Sequence, residues 1–194
     1  MKPERVFHAL LFAGPLAFVV FTIGVFLASQ ANPWWDFFRD AFSDLGGPRA
    51  SAPWIFNTTL IVVGALFSLY SLGLLGVSGS KVSSFASGLL FTAGLFLALI
   101  GVYPSGTPPH AFIPLWFYIQ SYIGMCALGL GLLLERKTSC GAALLALGAL
   151  PIPLAQAVEM VVGWPSVAML ELAGAIFILA AALVVLVCVF HKKE

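Results

Sequence analysis

Ser166-Val-Ala-Met-Leu-Glu-Leu-Ala-Gly-Ala-Ile-Phe-Ile-Leu-Ala-Ala-Ala-Leu-Val-Val-Leu-Val-Cys-Val-Phe190 carries one charged side chain, Glu171. It is longer than the roughly 20 apolar residues that a helix needs to cross a bilayer. Five further runs pass the same test, at about 7–29, 54–76, 85–103, 110–134 and 140–162, with this one at 166–190. The expected fold class is therefore all-α: a polytopic membrane protein whose 194 residues form a single domain of six transmembrane helices. Composition agrees, with 61% hydrophobic residues, 9% charged residues and mean hydropathy +1.05. A net charge of +1 offers no basic patch for nucleic acid. Cys126, Cys140 and Cys188 lie far apart without a CxxC or Cys/His pairing, so no disulfide framework, zinc site or haem attachment is expected, and no metal or cofactor.

Between the first two runs lies Asn32-Pro-Trp-Trp-Asp-Phe-Phe-Arg-Asp-Ala-Phe-Ser-Asp-Leu-Gly-Gly47. At about 100° per residue its aromatic side chains fall on one side, and Asp36, Arg39, Asp40, Ser43 and Asp44 on the other. Asn32 suits an N-cap, Pro33 a first helical position and Gly46-Gly47 a C-terminal cap. The pattern predicts an amphipathic helix over about 33–45, lying in the membrane interface as a lid over the spans.

The remaining connections are short. Val77 to Ser84 is serine-rich, Tyr103-Pro-Ser-Gly-Thr-Pro-Pro109 breaks helices, Glu135-Arg-Lys-Thr-Ser139 is charged, and Gly163-Trp-Pro165 is a hairpin. Lys2, Arg5, Lys81, Arg136, Lys137, Lys192 and Lys193 share one side, against Arg39 and Arg49 on the other. The positive-inside rule then predicts a cell-membrane protein with cytoplasmic termini and an external lid. Gly124, Gly129, Gly131, Gly141, Gly148 and the pair Gly73/Gly76 allow close helix packing, and Pro151 and Pro153 should kink the fifth span.

Acids within apolar spans are expensive, which singles out Glu159 and Glu171, on either side of the Gly163-Trp-Pro165 hairpin. Gln156 lies one turn before Glu159, and His110 opens the fourth span at the same leaflet. With Asp44 at the end of the lid and Asn57 early in the second span, these residues define an expected outward-facing polar site. The acids of the lid could hold a hard cation, yet one helix face rarely encloses an ion, and a solvated face is the simpler expectation. No hydrolase, protease or phosphate-loop signature is complete. Three function classes survive: a protein binding or processing a lipid or amphiphile under the lid, a non-catalytic membrane subunit or scaffold, and a proton-coupled carrier using Glu159 and Glu171. Membrane lipids are the expected partners, with an oligomer compatible with all three.

Ser43-Asp-Leu-Gly46 after the first span, Trp54-Ile-Phe-Asn57 opening the second, and Gly101-Val-Tyr-Pro104 followed by His110 give the chain a family likeness. It resembles a family of archaeal and bacterial six-span proteins known as domain of unknown function 998. The resemblance implies a six-helix bundle with Ser43, Asp44, Gly46, Asn57, Pro104 and His110 on one face, and it implies no activity.

Overall fold

The structure is a computed structural model that describes residues 3–191. Lys2, Lys192 and Lys193, part of the charge count above, lie outside these residues. Eight α-helices follow in order: α1 (Pro3–Leu10), α2 (Ala13–Gln30), α3 (Pro53–Val77), α4 (Lys81–Val102), α5 (Ile113–Leu134), α6 (Thr138–Ala149), α7 (Pro151–Val161) and α8 (Val167–Phe190). Five stretches are long and apolar enough to cross a membrane, and there are six when the bent pair α6–α7 is counted as one span. The protein is an all-helical, polytopic membrane protein, as the apolar runs predict.

Both interruptions of the spans have a proline behind them. Pro15 brings no N–H for the Leu11 carbonyl, and the chain leaves the helix at Leu11 and Phe12 before α2 begins. Pro151 opens α7, which bends from α6 by 40°. The expected kink of the fifth span is therefore present, and it is large. Beyond it α7 turns away from the bundle, leaving Met160, Val161 and Val162 almost fully exposed.

Helices α3, α4 and α5 form the tightly packed centre. Lipid is as apolar as leucine, so association here relies on close van der Waals fit. Gly64 of α3 lies against the backbone of Gly94 and Ala98 on α4, and Gly129 of α5 against that of Gly141 on α6. A side chain at any of these points would push the helices apart. The small-residue positions read from the sequence do serve packing, although Gly64 and Gly94 escaped that reading. Buried serines in the centre donate back to the carbonyl one turn earlier: Ser68 to Gly64, Ser71 to Phe67 and Ser121 to Phe117, at 2.7–2.9 Å. Each hydroxyl is thereby satisfied without water. Helix α8 is peripheral, with mean hydropathy 3.0 over its best window and only 22% of that window buried.

Two expectations need correction. Residues 33–45 are not one amphipathic helix. Turns occupy the stretch up to Ala41, and a single 3₁₀ turn covers Phe42–Gly46. The aspartates bend the chain instead of decorating a helix. Asp40 Oδ2 accepts the Asp36 N–H at 2.7 Å, Asp36 Oδ1 accepts the Phe38 N–H at 2.8 Å, and Asp44 Oδ2 accepts the Ala41 N–H at 2.9 Å. The aromatic side chains mostly turn inward, Phe42 buried and Trp35 and Phe37 packed on the core, with Phe38 outward.

The cysteines give the second correction. Cys140 at the start of α6 and Cys188 near the end of α8 form a disulfide, with sulfurs 2.04 Å apart, and Cys126 is free. The two are 48 residues apart in sequence, and only the antiparallel packing of α6 and α8 brings them together. Alkylation of the denatured, air-purified chain should therefore label one thiol before reduction and three after it. Three labelled thiols without reductant would show that the bridge does not form.

Candidate functional site

The lid, residues 31–52, is fastened at several points, beginning with Asn32. Its side chain is fully buried. The amide nitrogen donates to the Ala28 carbonyl at 2.9 Å, finishing α2. The amide oxygen accepts the Ser51 N–H at 2.7 Å and the Trp34 indole N–H at 3.2 Å. One side chain thus joins both ends of the lid. The far side is pinned to α8: Ser166 Oγ donates to the Phe37 carbonyl at 2.6 Å, and the Ala168 N–H donates to the Asp40 carbonyl at 3.1 Å. Ser166 Oγ also accepts the Met169 N–H at 3.1 Å, so it caps α8 while holding the lid. On the α3 side, the Asn57 amide donates to the Gly46 carbonyl at 3.1 Å.

Under the 3₁₀ turn lies a cavity of about 100 Å³ between α2, α3, α5 and α8, with one residue pair from α4. Its walls are apolar, among them Ala17, Phe21, Leu60, Phe117 and Ile178. It reaches along α8 from Glu171 to Ala182, about 16 Å at helical rise. Wall residues from α3, such as Phe56, Leu60 and Phe67, are buried. Ala175, Ile178 and Leu179 of α8 are half-buried, as are Phe18 and Phe21 of α2 and Pro114 and Tyr118 of α5. The looser side of the cavity is therefore the one that α8 closes against α2 and α5.

Polar groups gather at the lid end. Glu171 Oε2 accepts the Phe42 N–H at 3.0 Å, linking α8 to the lid turn. Tyr118 of α5 donates its hydroxyl to the Glu171 carbonyl at 2.9 Å. Ser43 also lines the cavity here. Gly174, one turn further along α8, makes room for these rings: a Cβ there would stand 2.6 Å from Tyr118 Cε1 and 2.8 Å from Tyr122 Oη.

The six residues expected to form the site divide into two sets. Asp44, Asn57 and Glu171 all converge on the backbone of residues 41–46. The other three do not join them. His110 Nδ1 pairs with the Tyr103 carbonyl of its own loop at 2.9 Å. Glu159 is exposed and accepts the Trp164 N–H at 3.2 Å, which closes the hairpin. Gln156 is exposed on α7. Among the described residues no hydrogen bond or ion pair connects His110 or Glu159 to Glu171, and no three His, Cys, Asp or Glu side chains gather as metal ligands. The sequence reading missed Asn32 as a tether, Ser166 and Tyr118. A signal for the first did exist: the chain has two asparagines, both flank the lid, and both bind its backbone.

A separate polar cluster sits at the opposite end, where the sequence reading saw only a charged turn. Glu135 Oε1 accepts the Ser83 hydroxyl at 2.6 Å and the Gly79 N–H at 3.1 Å, and Oε2 meets Lys137 Nζ at 2.9 Å. Burial acts to raise the Glu135 pKa. The hydrogen bonds from Ser83, Lys137 and Gly79 and the Lys137 charge outweigh it, and the net shift is downward. A carboxyl whose pKa is lowered on folding adds stability above its ordinary range, and that share is lost as pH falls through the lowered value. The wild-type protein should therefore lose stability on acidification below the ordinary carboxylate range more steeply than Glu135→Gln, as read from thermal melts in detergent. Glu135→Ala should cost about 1–3 kcal/mol at neutral pH, because the Ser83 and Gly79 donors lose their acceptor. Parallel acid profiles for wild type and Glu135→Gln would mean that this cluster contributes nothing.

Comparison with known proteins gives one match. Neither the curated proteins nor the solved structures include one that matches this chain. A family model described as "Protein of unknown function (DUF998)" matches residues 12–188, which takes in the lid, the cavity and the Cys140–Cys188 bridge. The chain therefore belongs to the DUF998 family.

Proposed function

We propose that the protein binds an amphiphile of the membrane, its chain in the cavity along α8 and its head at the lid turn. One observation carries this reading: an apolar cavity of about 100 Å³ that ends in Ser43, Tyr118 and Glu171. A pocket with apolar walls and a few convergent polar groups at one end suits a ligand of that same division. A membrane supplies such molecules sideways, and the half-buried side that α8 closes faces that supply. Phe38 and Trp54, both exposed at the lid end, support placing the lid at the interface, where amphipathic aromatic residues are enriched.

The orientation that goes with this reading has the termini in the cytoplasm and the lid outside the cell membrane. Arg5, Lys81, Arg136 and Lys137 lie at the end opposite the lid, while Arg39 is drawn to Asp36 at 3.7 Å and Arg49 stacks over Trp34 at 4.4 Å. The Cys140–Cys188 pair lies at the basic end, and disulfides persist better in oxidising compartments. We give the charges precedence, because they act during insertion, whereas a reducing cytosol can hold the same two cysteines as thiols.

Two outcomes are expected. Ala175→Phe places a ring in the cavity, and native mass spectrometry of the gently solubilised protein should lose the lipid adducts that wild type retains. Equal adducts on a folded variant would remove the cavity from the account. In a cysteine-free background, Ser105→Cys should react with an impermeant maleimide added to intact cells. Labelling only after the cytoplasmic side is opened would reverse the orientation.

A further inference from the structure

We infer that the cavity selects its amphiphile by the head: a hydrogen-bond-donating group without negative charge, best met by a primary ammonium. This rests on the amphiphile reading above and adds the class of ligand to it. Glu171 is the only ionisable carboxylate among the lining residues, and no lysine, arginine or histidine lines the cavity. The two arginines of the lid are engaged elsewhere, Arg39 with Asp36 at a largely exposed position and Arg49 over Trp34. A phosphate, sulfonate or carboxylate head would thus enter a low-dielectric mouth with no counter-charge, which is strongly unfavourable.

Acceptor capacity, by contrast, is left over. Glu171 Oε2 is taken by the Phe42 N–H, while Oε1 has no protein donor among the described residues. No buried side-chain oxygen or nitrogen in the described structure lacks a partner, so Oε1 is within reach of something other than protein. Ser43 lines the same cavity, and its hydroxyl has no hydrogen-bond partner among the described residues. The next carboxylate along the turn is Asp44, whose Oδ2 holds the Ala41 N–H. An ammonium head has three donors for such a mouth, a hydroxyl has one, and both leave their chain to the apolar walls. Charge-assisted hydrogen bonds are roughly twice as strong as neutral ones, which sets the order ammonium, then alcohol, then anion.

The test uses full-length protein in a non-ionic detergent and three twelve-carbon probes: dodecylamine, 1-dodecanol and dodecanesulfonate. Binding is read by native mass spectrometry at pH 7, with wild type, Glu171→Gln, Ser43→Ala and Ala175→Phe side by side. Dodecylamine should bind wild type at least about tenfold more tightly than dodecanesulfonate. Glu171→Gln should remove most of that difference and change dodecanol binding by less than about threefold. Ser43→Ala, which leaves the Glu171–Phe42 link in place, should weaken both donors by a smaller factor. Should Glu171→Gln fail to fold, dodecanesulfonate binding equal to dodecylamine binding in wild type overturns the inference by itself. If all three probes bind alike and Ala175→Phe abolishes all three, the amphiphile reading stands and the choice of head fails. If no probe binds wild type, the amphiphile reading fails with it.

Discussion

A lid whose regular structure is a single 3₁₀ turn must find a partner for nearly every backbone group it buries, and Asn32 does the most to make that possible. Its amide ends α2 at Ala28 and receives Ser51 from the other end of the lid. The excursion between them therefore starts and finishes at one fixed point. Near a membrane an unpaired buried N–H or carbonyl costs several kcal/mol. The three aspartates, Ser166 and the α8 backbone complete the pairing that Asn32 begins. Replacing Asn32 with leucine, of similar size but apolar, would leave the Ser51 N–H and the Trp34 indole without their acceptor at once. The 3₁₀ turn over the cavity keeps its position through this arrangement, since Phe42 and Asp44 sit within the excursion.

Features of the fold that depend on local composition were legible in the sequence. Apolar runs mark spans because a bilayer demands length and little else, and Pro151 marks a bend because a proline always removes one helical donor. The lid was not legible in the same way. Aspartates four residues apart lie on one face of a helix, yet the same spacing lets the Asp40 carboxylate close a turn on the Asp36 N–H while Asp36 takes that of Phe38. Periodicity cannot separate these outcomes, because the side chains compete with helical hydrogen bonds for the same N–H groups.

The site was half legible for a related reason. Asn57 and Glu171 lie on helices that the bundle holds against the lid turn carrying Asp44, so depth in the membrane was a fair guide to their proximity. Glu159 and Gln156 share that depth but ride on α7, and the 40° bend carries them off the bundle. Depth fixes one coordinate of three. The Cys140–Cys188 bridge shows the converse case, two residues far apart in sequence whose pairing follows only from which helices are neighbours.

The bend in the fifth span also acts on the lipid around it. Pro151 and Pro153 bring no N–H groups, so the carbonyls of Leu147 and Ala149 have no donor one turn ahead of them. With α6 along the bilayer normal, the 11 residues of α7 tilted by 40° rise about 12.6 Å where a straight helix would rise about 16.5 Å. The bundle is then shorter on this flank than an unbent fifth span would make it. A bilayer in contact with it has to thin by about 4 Å there or let water reach the two free carbonyls, and either response favours shorter or more disordered acyl chains as neighbours. The protein would thereby impose an uneven thickness on its own annulus of lipid, pinched beside α7 and relaxed beside α2 and α3.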